Sequence, residues 1–398
     1  MQITVLGAGG ISRGIAAELS RRISAGELPG CSLTVADIDV DRARTVAGEV
    51  GAEARQVDIT DPEALAALVA DCDLVASAVG PFSRFGSVVL RACVAAGTHY
   101  LDVCDEDVVA AEVLLDADLD RAAAAADATV VIGCGATPGI SNVVARWGIE
   151  SLDVADSVDI FLGIPPMASF GVTINEHMLD SLSGQVTQYL DGRFEQVDAW
   201  TGTRDEQMAE GYGGGSFGYL GHPEPLCLGR SYPDLQRATI RWSWLEPEAN
   251  ETWQLFNRLG LNSDEPVPSL GLSPRTFLAH LLDSPQGARI PGLTPQRSHR
   301  GVPLRTIVEG TLDQKPTRVV LDQLIEWATK KGSPGAETAW PAAETVARIA
   351  TGAITRRGVL SPEQVLDPDS ILPRYAEVTG VSFARSIETT GKAWLTEG

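Results

Sequence analysis

The chain has 398 residues, enough for two domains of ordinary size, and its apolar (44%) and charged (21%) fractions are those of a globular protein, not a disordered or fibrous one. Lys and Arg number 31 against 53 Asp and Glu, and the net charge of −22 repels phosphate backbones and anionic headgroups, so neither nucleic acid nor membrane is an expected partner. Met1 leads straight into a strand pattern with no basic, apolar leader, and no uninterrupted apolar run reaches about 18 residues, so the expected compartment is the cytoplasm.

From residue 1 to about 135, short apolar runs alternate with longer Ala-rich segments, the pattern of parallel strands covered by helices. The predicted strands are "ITVL", "LTVA", "RQVD", "LVASAV", "HYLDV" and "TVVIG", and segments such as "DPEALAALVADC" and "FGSVVLRACVAAG" read as helices. Six strands in this order fit a Rossmann-type, doubly wound α/β sheet. Composition shifts near residue 140, since all eight tryptophans lie at or after Trp147. Beyond it, "SVDIFLGI", "QRATIRWSW", "RTIVEGTL" and "TRVVLDQL" read as strands among Gly/Pro-rich loops, an α+β substrate domain on a mainly antiparallel sheet. "AWPAAETVARIATGAI" is helical in period, and "TRRGVLSPEQVL" reads as a turn followed by a helix start. The expected divisions are a dinucleotide-binding domain (1–139), a substrate and dimerisation domain (140–337) and a C-terminal helical segment (338–398) that returns to the first domain. The expected assembly is a homodimer.

The stretch "ITVLGAGGISRGIAAEL" carries Gly7, Gly9 and Gly10 between a strand and a helix, as a pyrophosphate-binding turn requires, with Ile11 and Ser12 opening the helix. Ser12 stands where the strict pattern has a third glycine; one hydroxymethyl group degrades the helix–strand contact without abolishing it. At the end of the second strand, Asp37 is placed to accept hydrogen bonds from both adenine-ribose hydroxyls, with Ile38 beside it. Asp58 and Ile59 are expected to flank the adenine, and Ala78, Val79, Gly80 and Pro81 form a small-residue turn that lets the backbone approach the nicotinamide side. A fixed carboxylate at ~4 Å from a 2′-phosphate costs about 1 to 4 kcal/mol. Asp37 therefore favours NAD over NADP, although Arg13 or Arg42 is within sequence reach of such a phosphate.

The six cysteines, Cys31, Cys72, Cys93, Cys104, Cys134 and Cys227, form no C-x-x-C pair, and the five histidines, His99, His177, His222, His280 and His299, form no ligand motif. No metal site is expected.

"THYLDVCDE" and "GCGATPGISNVVARWG" resemble the saccharopine dehydrogenase-like family, and "GRSYPDL" and "TAWPAAETVARIATGAITRRGVLSPEQV" are similar to segments of its lysine 6-dehydrogenase branch. The resemblance implies an NAD(P)-dependent oxidoreductase that transfers hydride at a C–N centre of an amine or amino acid, with a lysine-like substrate first in line. The alternatives are a condensing reductase that joins an amine to an aldehyde or oxo acid through a Schiff base, or a dinucleotide-binding regulator without turnover.

Within the matched motifs, Asp102 at the end of the fifth strand either meets the substrate ammonium and exchanges its proton, or caps a loop. Cys104 is expected to pack beside the nicotinamide, not to act as a nucleophile. Thr137 replaces an aspartate that some family members carry before Pro-Gly, which argues against saccharopine reductase itself. Pro138 and Gly139 set the turn into the second domain, and Asn142 either contacts substrate or caps the following helix. Arg230 either clamps a substrate carboxylate with its planar fork or forms a surface ion pair. His222, in "GHPEP", is either a proton shuttle or a loop histidine with no catalytic part. Trp242 and Trp244 share one face of a strand and are expected in the core in preference to a cation cage.

Overall fold

In the computed structural model, residues 1–166, 171–293, 300–327, 330–332 and 335–389 are described; His299 and the end of the expected C-terminal segment lie outside them. In chain order the strands are β1 (Gln2–Leu6), β2 (Ser32–Asp37), β3 (Glu53–Gln56), β4 (Leu74–Ser77), β5 (His99–Asp102), β6 (Thr129–Val131), β7 (Val154–Ile164), β8 (Gln185–Leu190), β9 (Arg193–Asp198), β10 (Arg204–Gln207), β11 (Gly214–Tyr219), β12 (Arg237–Trp244), β13 (Gly301–Leu312), β14 (Lys315–Glu326), β15 (Gly358–Leu360) and β16 (Ser382–Thr389).

The chain divides into two compact units. The first comprises residues 1–146, 226–231 and 331–380, and the second 147–225, 232–330 and 381–398. In the first unit seven parallel strands run in the order β15-β6-β5-β4-β1-β2-β3, the doubly wound arrangement expected from the six early strands. Central strands buried on both faces read as apolar runs, and Ile3, Val5, Val75, Tyr100 and Val130 are accordingly buried. Aspartates start the covering helices: Asp39, Asp61 and Asp116 each accept two backbone N–H groups of the first turn. The helix Ala336–Ala350 packs on the helix Gly10–Ser24 so closely that a Cβ on Gly14 would lie 2.7 Å from that of Ala339. Arg22 and Glu344, both buried, pair across that contact at 2.6 Å.

The divisions differ from those expected in three places. The first unit extends through Arg146, because Asn142 and Arg146 of the helix Ile140–Ile149 hydrogen-bond to the side chain and carbonyl of Glu363. Residues 226–231 also belong to it, tied by Arg230 to the Val359 carbonyl and by Ser231 to Glu363. The segment after 338 is not purely helical. "GVL" within the predicted turn is β15, paired to β6, and the chain then leaves the first unit to add β16 to the sheet of the second.

That second sheet is mixed and mostly antiparallel, in the order β10-β11-β12-β7-β13-β14-β16, with β8 pairing β12 and β9; only β7 and β12 run parallel. Trp242 and Trp244 are core residues, both buried and edge-to-face at 5.4 Å. Among the described residues, no helix is long and apolar enough to cross a membrane.

Candidate functional site

The carboxyl edge of the first sheet gathers most of the residues singled out in the sequence. After β1, Gly7 adopts φ +99°, a conformation that side chains other than glycine rarely take, and its N–H donates to the Ala36 carbonyl at 2.7 Å. A Cβ on Gly7 would lie 2.8 Å from Ser12 Oγ and 3.1 Å from Val79 Cγ2, whereas at Gly9 and Gly10 it would meet nothing within 4 Å. The first glycine is therefore required by the protein's own packing. The other two keep a space clear in front of the helix Gly10–Ser24, whose first turn has no acidic residue and no side-chain cap. Uncapped N–H groups at a helix start with open space before them suit a pyrophosphate. Ser12 Oγ is buried beside this turn without a hydrogen-bond partner, so the chain tolerates the third-glycine substitution at the cost of an unsatisfied hydroxyl. The residues present fit a dinucleotide.

Asp37 lies at the end of β2 with Oδ2 accepting from Ala8 N–H (2.7 Å) and Oδ1 from Asp39 N–H (2.8 Å). Each oxygen retains a second acceptor site, which is what a ribose diol needs. The carboxylate thus also ties the glycine turn to β2. Ile38 is exposed. A cleft of about 490 Å³ runs along the turn, lined by Gly9, Gly10, Arg13, Asp39, Arg42 and Thr45 among others. In it Arg13 pairs with Glu49 (3.3 Å) and Arg42 with Asp39 (3.8 Å), each on an exposed surface. After β3, exposed Asp58 accepts from Thr60 N–H (2.9 Å) and hydroxyl (2.6 Å) and shapes its own turn, while half-buried Ile59 lines an apolar cavity of about 410 Å³ with Leu65, Phe85 and Val88. After β4, Ala78 N–H joins the Leu6 carbonyl at 3.1 Å, and Gly80–Pro81 is a cis peptide leading to the helix Phe82–Ala96. The Phe82 and Ser83 N–H groups that begin this helix are taken at 2.7 Å each by Glu106, a residue the sequence reading did not single out.

Asp102 is buried at the end of β5. Its Oδ1 accepts from Cys104 N–H (3.1 Å) and Gly133 N–H (2.8 Å), and its Oδ2 from the Tyr100 hydroxyl (3.0 Å). Burial pushes its pKa up to about 6, against the lowering effect of those three donors. The carboxyl group thereby joins the loop after β5 to the loop after β6. Cys104 is buried behind it, its thiol raised well above the usual range by burial and by the neighbouring carboxyl of Asp102.

Pro138 follows a cis peptide, and Gly139 sits at φ +123° with the Gly135 carbonyl where a Cβ would be. Asn142 accepts from Gly139 N–H (3.0 Å) and donates to Glu363 (3.0 Å), deep in the unit. Arg230 gives its fork to the Val359 carbonyl (2.7 Å) and Asp120 (3.4 Å). His222, in the second unit, is buried with Nδ1 2.5 Å from Glu224. The His-x-Glu spacing was the available sequence signal for Glu224.

The parallel sheet, the glycine turn and Asp37 at the adjoining strand end define an NAD(P)-binding Rossmann domain. Residues 3–132 match the family model of the saccharopine dehydrogenase NADP binding domain, in keeping with a nicotinamide dinucleotide as the cofactor of this unit. Its whole fold is similar to two solved structures. One is saccharopine dehydrogenase (L-Glu forming) from Saccharomyces cerevisiae, at 17% identity and TM-score 0.64, with 97% of this chain and 99% of that one covered. The other is homospermidine synthase from Legionella pneumophila in complex with NAD, at 12% identity and TM-score 0.56, with 100% and 93% covered.

The Gly7 geometry makes a direct prediction. Gly7→Ala places a methyl group against Ser12 at a strained φ, and NADH affinity is expected to fall roughly tenfold, about 1.4 kcal/mol. Quenching of protein fluorescence by NADH measures it; an unchanged affinity would remove the turn from the binding site.

Proposed function

We propose that the protein transfers hydride at a C–N centre, oxidising an amine or reducing an imine of a lysine-like amino acid or amine. The observation that carries this reading is the NAD(P)-binding turn inside a chain whose fold follows, over nearly its full length, proteins named for saccharopine and homospermidine chemistry. The motif resemblance to the lysine 6-dehydrogenase branch supports oxidation of a single amine over condensation. When bound, the nicotinamide supplies the hydride chemistry, and the chain supplies position. Gly7, Gly9 and Gly10 would hold the pyrophosphate, Asp37 the ribose, and the turn 78–81 the nicotinamide side. Of the two roles open to Asp102, its three hydrogen bonds support the loop tie; those of Asn142 and Arg230 likewise support structural roles. A homodimer remains the assembly we propose.

A nicotinamide absorbance screen tests the function. L-lysine and related amines are run singly with NAD+ or NADP+, and in pairs with aldehydes or oxo acids under NADH or NADPH. Turnover of a single amine supports the dehydrogenase reading. Turnover only with pairs moves the protein to the condensing class, and NADH binding without any turnover makes it a regulator.

Cofactor preference follows from Asp37. NADH is expected to bind several-fold more tightly than NADPH, because a 2′-phosphate would approach a carboxylate already fixed by two backbone donors. Asp37→Ala should narrow that gap. Equal dissociation constants in the parent protein would mean that Arg13 and Arg42 outweigh the carboxylate.

A further inference from the structure

The turn after β4 is held at its two ends and free between them. At the start Ala78 N–H donates to the Leu6 carbonyl (3.1 Å), whereas among the described residues neither Val79 N–H nor Gly80 N–H has an acceptor in the protein. Pro81 has no N–H, and its side chain carries no acceptor to cap the helix Phe82–Ala96 that it precedes. Glu106 supplies that cap from the loop after β5. Its Oε1 accepts from Phe82 N–H and its Oε2 from Ser83 N–H, both at 2.7 Å, so one half-buried carboxylate gives both oxygens to the helix start. Its own backbone is fixed as well. The Glu106 carbonyl accepts from Ala110 N–H (3.1 Å) in the first turn of the helix Asp107–Leu114, and two residues earlier Cys104 N–H is bound by Asp102, which also takes Gly133 N–H. The other side of the turn meets the glycine turn, since a Cβ on Gly7 would lie 3.1 Å from Val79 Cγ2 and 3.6 Å from the Ala78 carbonyl oxygen.

We propose that Glu106 is a positioning residue for the nicotinamide half of the cofactor: it clamps the exit of the turn Ala78–Pro81, so that the nicotinamide riboside meets a surface already in place. The proposal rests on the assignment of that turn to the nicotinamide side. A turn with two unclaimed N–H groups and a loose exit has to be ordered each time the cofactor binds, and that ordering is subtracted from the affinity. A carboxylate suits the clamp better than an amide. Both of its oxygens accept, whereas a glutamine would set an NH₂ group against one of the two N–H donors. The same two bonds cover a helix start that would otherwise attract phosphate, which leaves the uncapped helix Gly10–Ser24 as the place for the pyrophosphate.

Two ligands on the full chain test this. ADP is the cofactor without its nicotinamide riboside, so it reports the binding of adenosine and pyrophosphate alone. In Glu106→Ala the dissociation constant for NADH, from isothermal titration calorimetry, should rise about tenfold, an ordering cost of about 1.4 kcal/mol, while ADP binds no more weakly than to the parent. Gly7→Ala is the control, since a distorted pyrophosphate turn should weaken both ligands. Glu106→Gln keeps one acceptor, and its NADH affinity should fall between those of the parent and the alanine variant. Unchanged NADH binding in Glu106→Ala, or in Glu106→Gln should the alanine variant not fold, overturns the role of Glu106 and leaves the assignment of the turn standing. An equal loss for NADH and ADP overturns that assignment and the proposal with it, because the turn would then serve the half of the cofactor that the two ligands share.

Discussion

Asp102→Asn is expected to gain about 1.4 kcal/mol in stability relative to the parent as pH rises from 5 to 8, out of about 3 kcal/mol in all. Folding raises this carboxyl from its ordinary 3.8 to about 6, so the native state holds its proton more tightly than the unfolded chain does. That contribution is fully present below about pH 4 and is lost as pH climbs through 6, where the buried group must ionise. Asparagine is suited to the comparison. Its one carbonyl oxygen can accept from both Cys104 and Gly133, which share Oδ1 in the parent, and its amide can donate to the Tyr100 oxygen in place of Oδ2. The shape survives and the titration disappears. Urea unfolding of both proteins at pH 5 and pH 8, followed by circular dichroism, gives the difference directly. Parallel stabilities at the two pH values would mean that Asp102 ionises as freely folded as unfolded.

How far such a site is legible in the sequence depends on whether its partners are neighbours along the chain. The glycine turn and β1 to β6 are legible because each is local: an apolar run, a turn residue, a capped helix. Gly7 could be singled out at once, but not that Ala8 N–H would use one oxygen of Asp37, since that contact joins two strand ends. β15 reads as a turn because three residues, "GVL", have no period of their own; they become a strand only by pairing with β6, more than two hundred residues earlier. β9 and β10 are polar, half-exposed and short on apolar alternation, so nothing in "RFEQVD" or "RDEQ" announces a strand. The roles of Asn142 and Arg230 turned on Glu363 and Val359, which no spacing rule connects to them.

Asp159, in "SVDIFLGI", draws its partners from two other strands, out of reach of any spacing in its own segment. Strand register sets Thr239 opposite it on β12, with Arg237 and Arg241 two residues to either side of Thr239, and Arg204 reaches it from β10. Arg204, Arg237 and Arg241 lie 2.8, 2.8 and 2.9 Å from its oxygens, and the Thr239 hydroxyl donates at 2.5 Å. Burial alone would raise this carboxyl; Arg241, Arg237 and Arg204 outweigh it and hold the pKa well below the usual range. Asp159→Asn should therefore destabilise the second unit by about 3 to 5 kcal/mol, because the cost of leaving a buried charge unpaired exceeds the worth of the pair itself. Arg241 suffers most, being 6% exposed, whereas Arg237 and Arg204 retain Glu309 at 3.5 and 4.0 Å. Asp159→Asn combined with Arg241→Met removes the stranded guanidinium and fills its space with an apolar chain. The double variant is expected to be more stable than the single Asp159 variant, a coupling that a double-mutant cycle isolates. Fluorescence of buried Trp242, Trp244 and Trp253 reports unfolding of this unit. The pH dependence should also be opposite in sense to that of Asp102. A depressed carboxyl contributes stability that is complete above the unfolded value of about 3.9 and fades only as pH falls below it, so the loss in Asp159→Asn should be the same at pH 5 and pH 8. A double variant no more stable than the single one would show that Arg241 is compensated elsewhere.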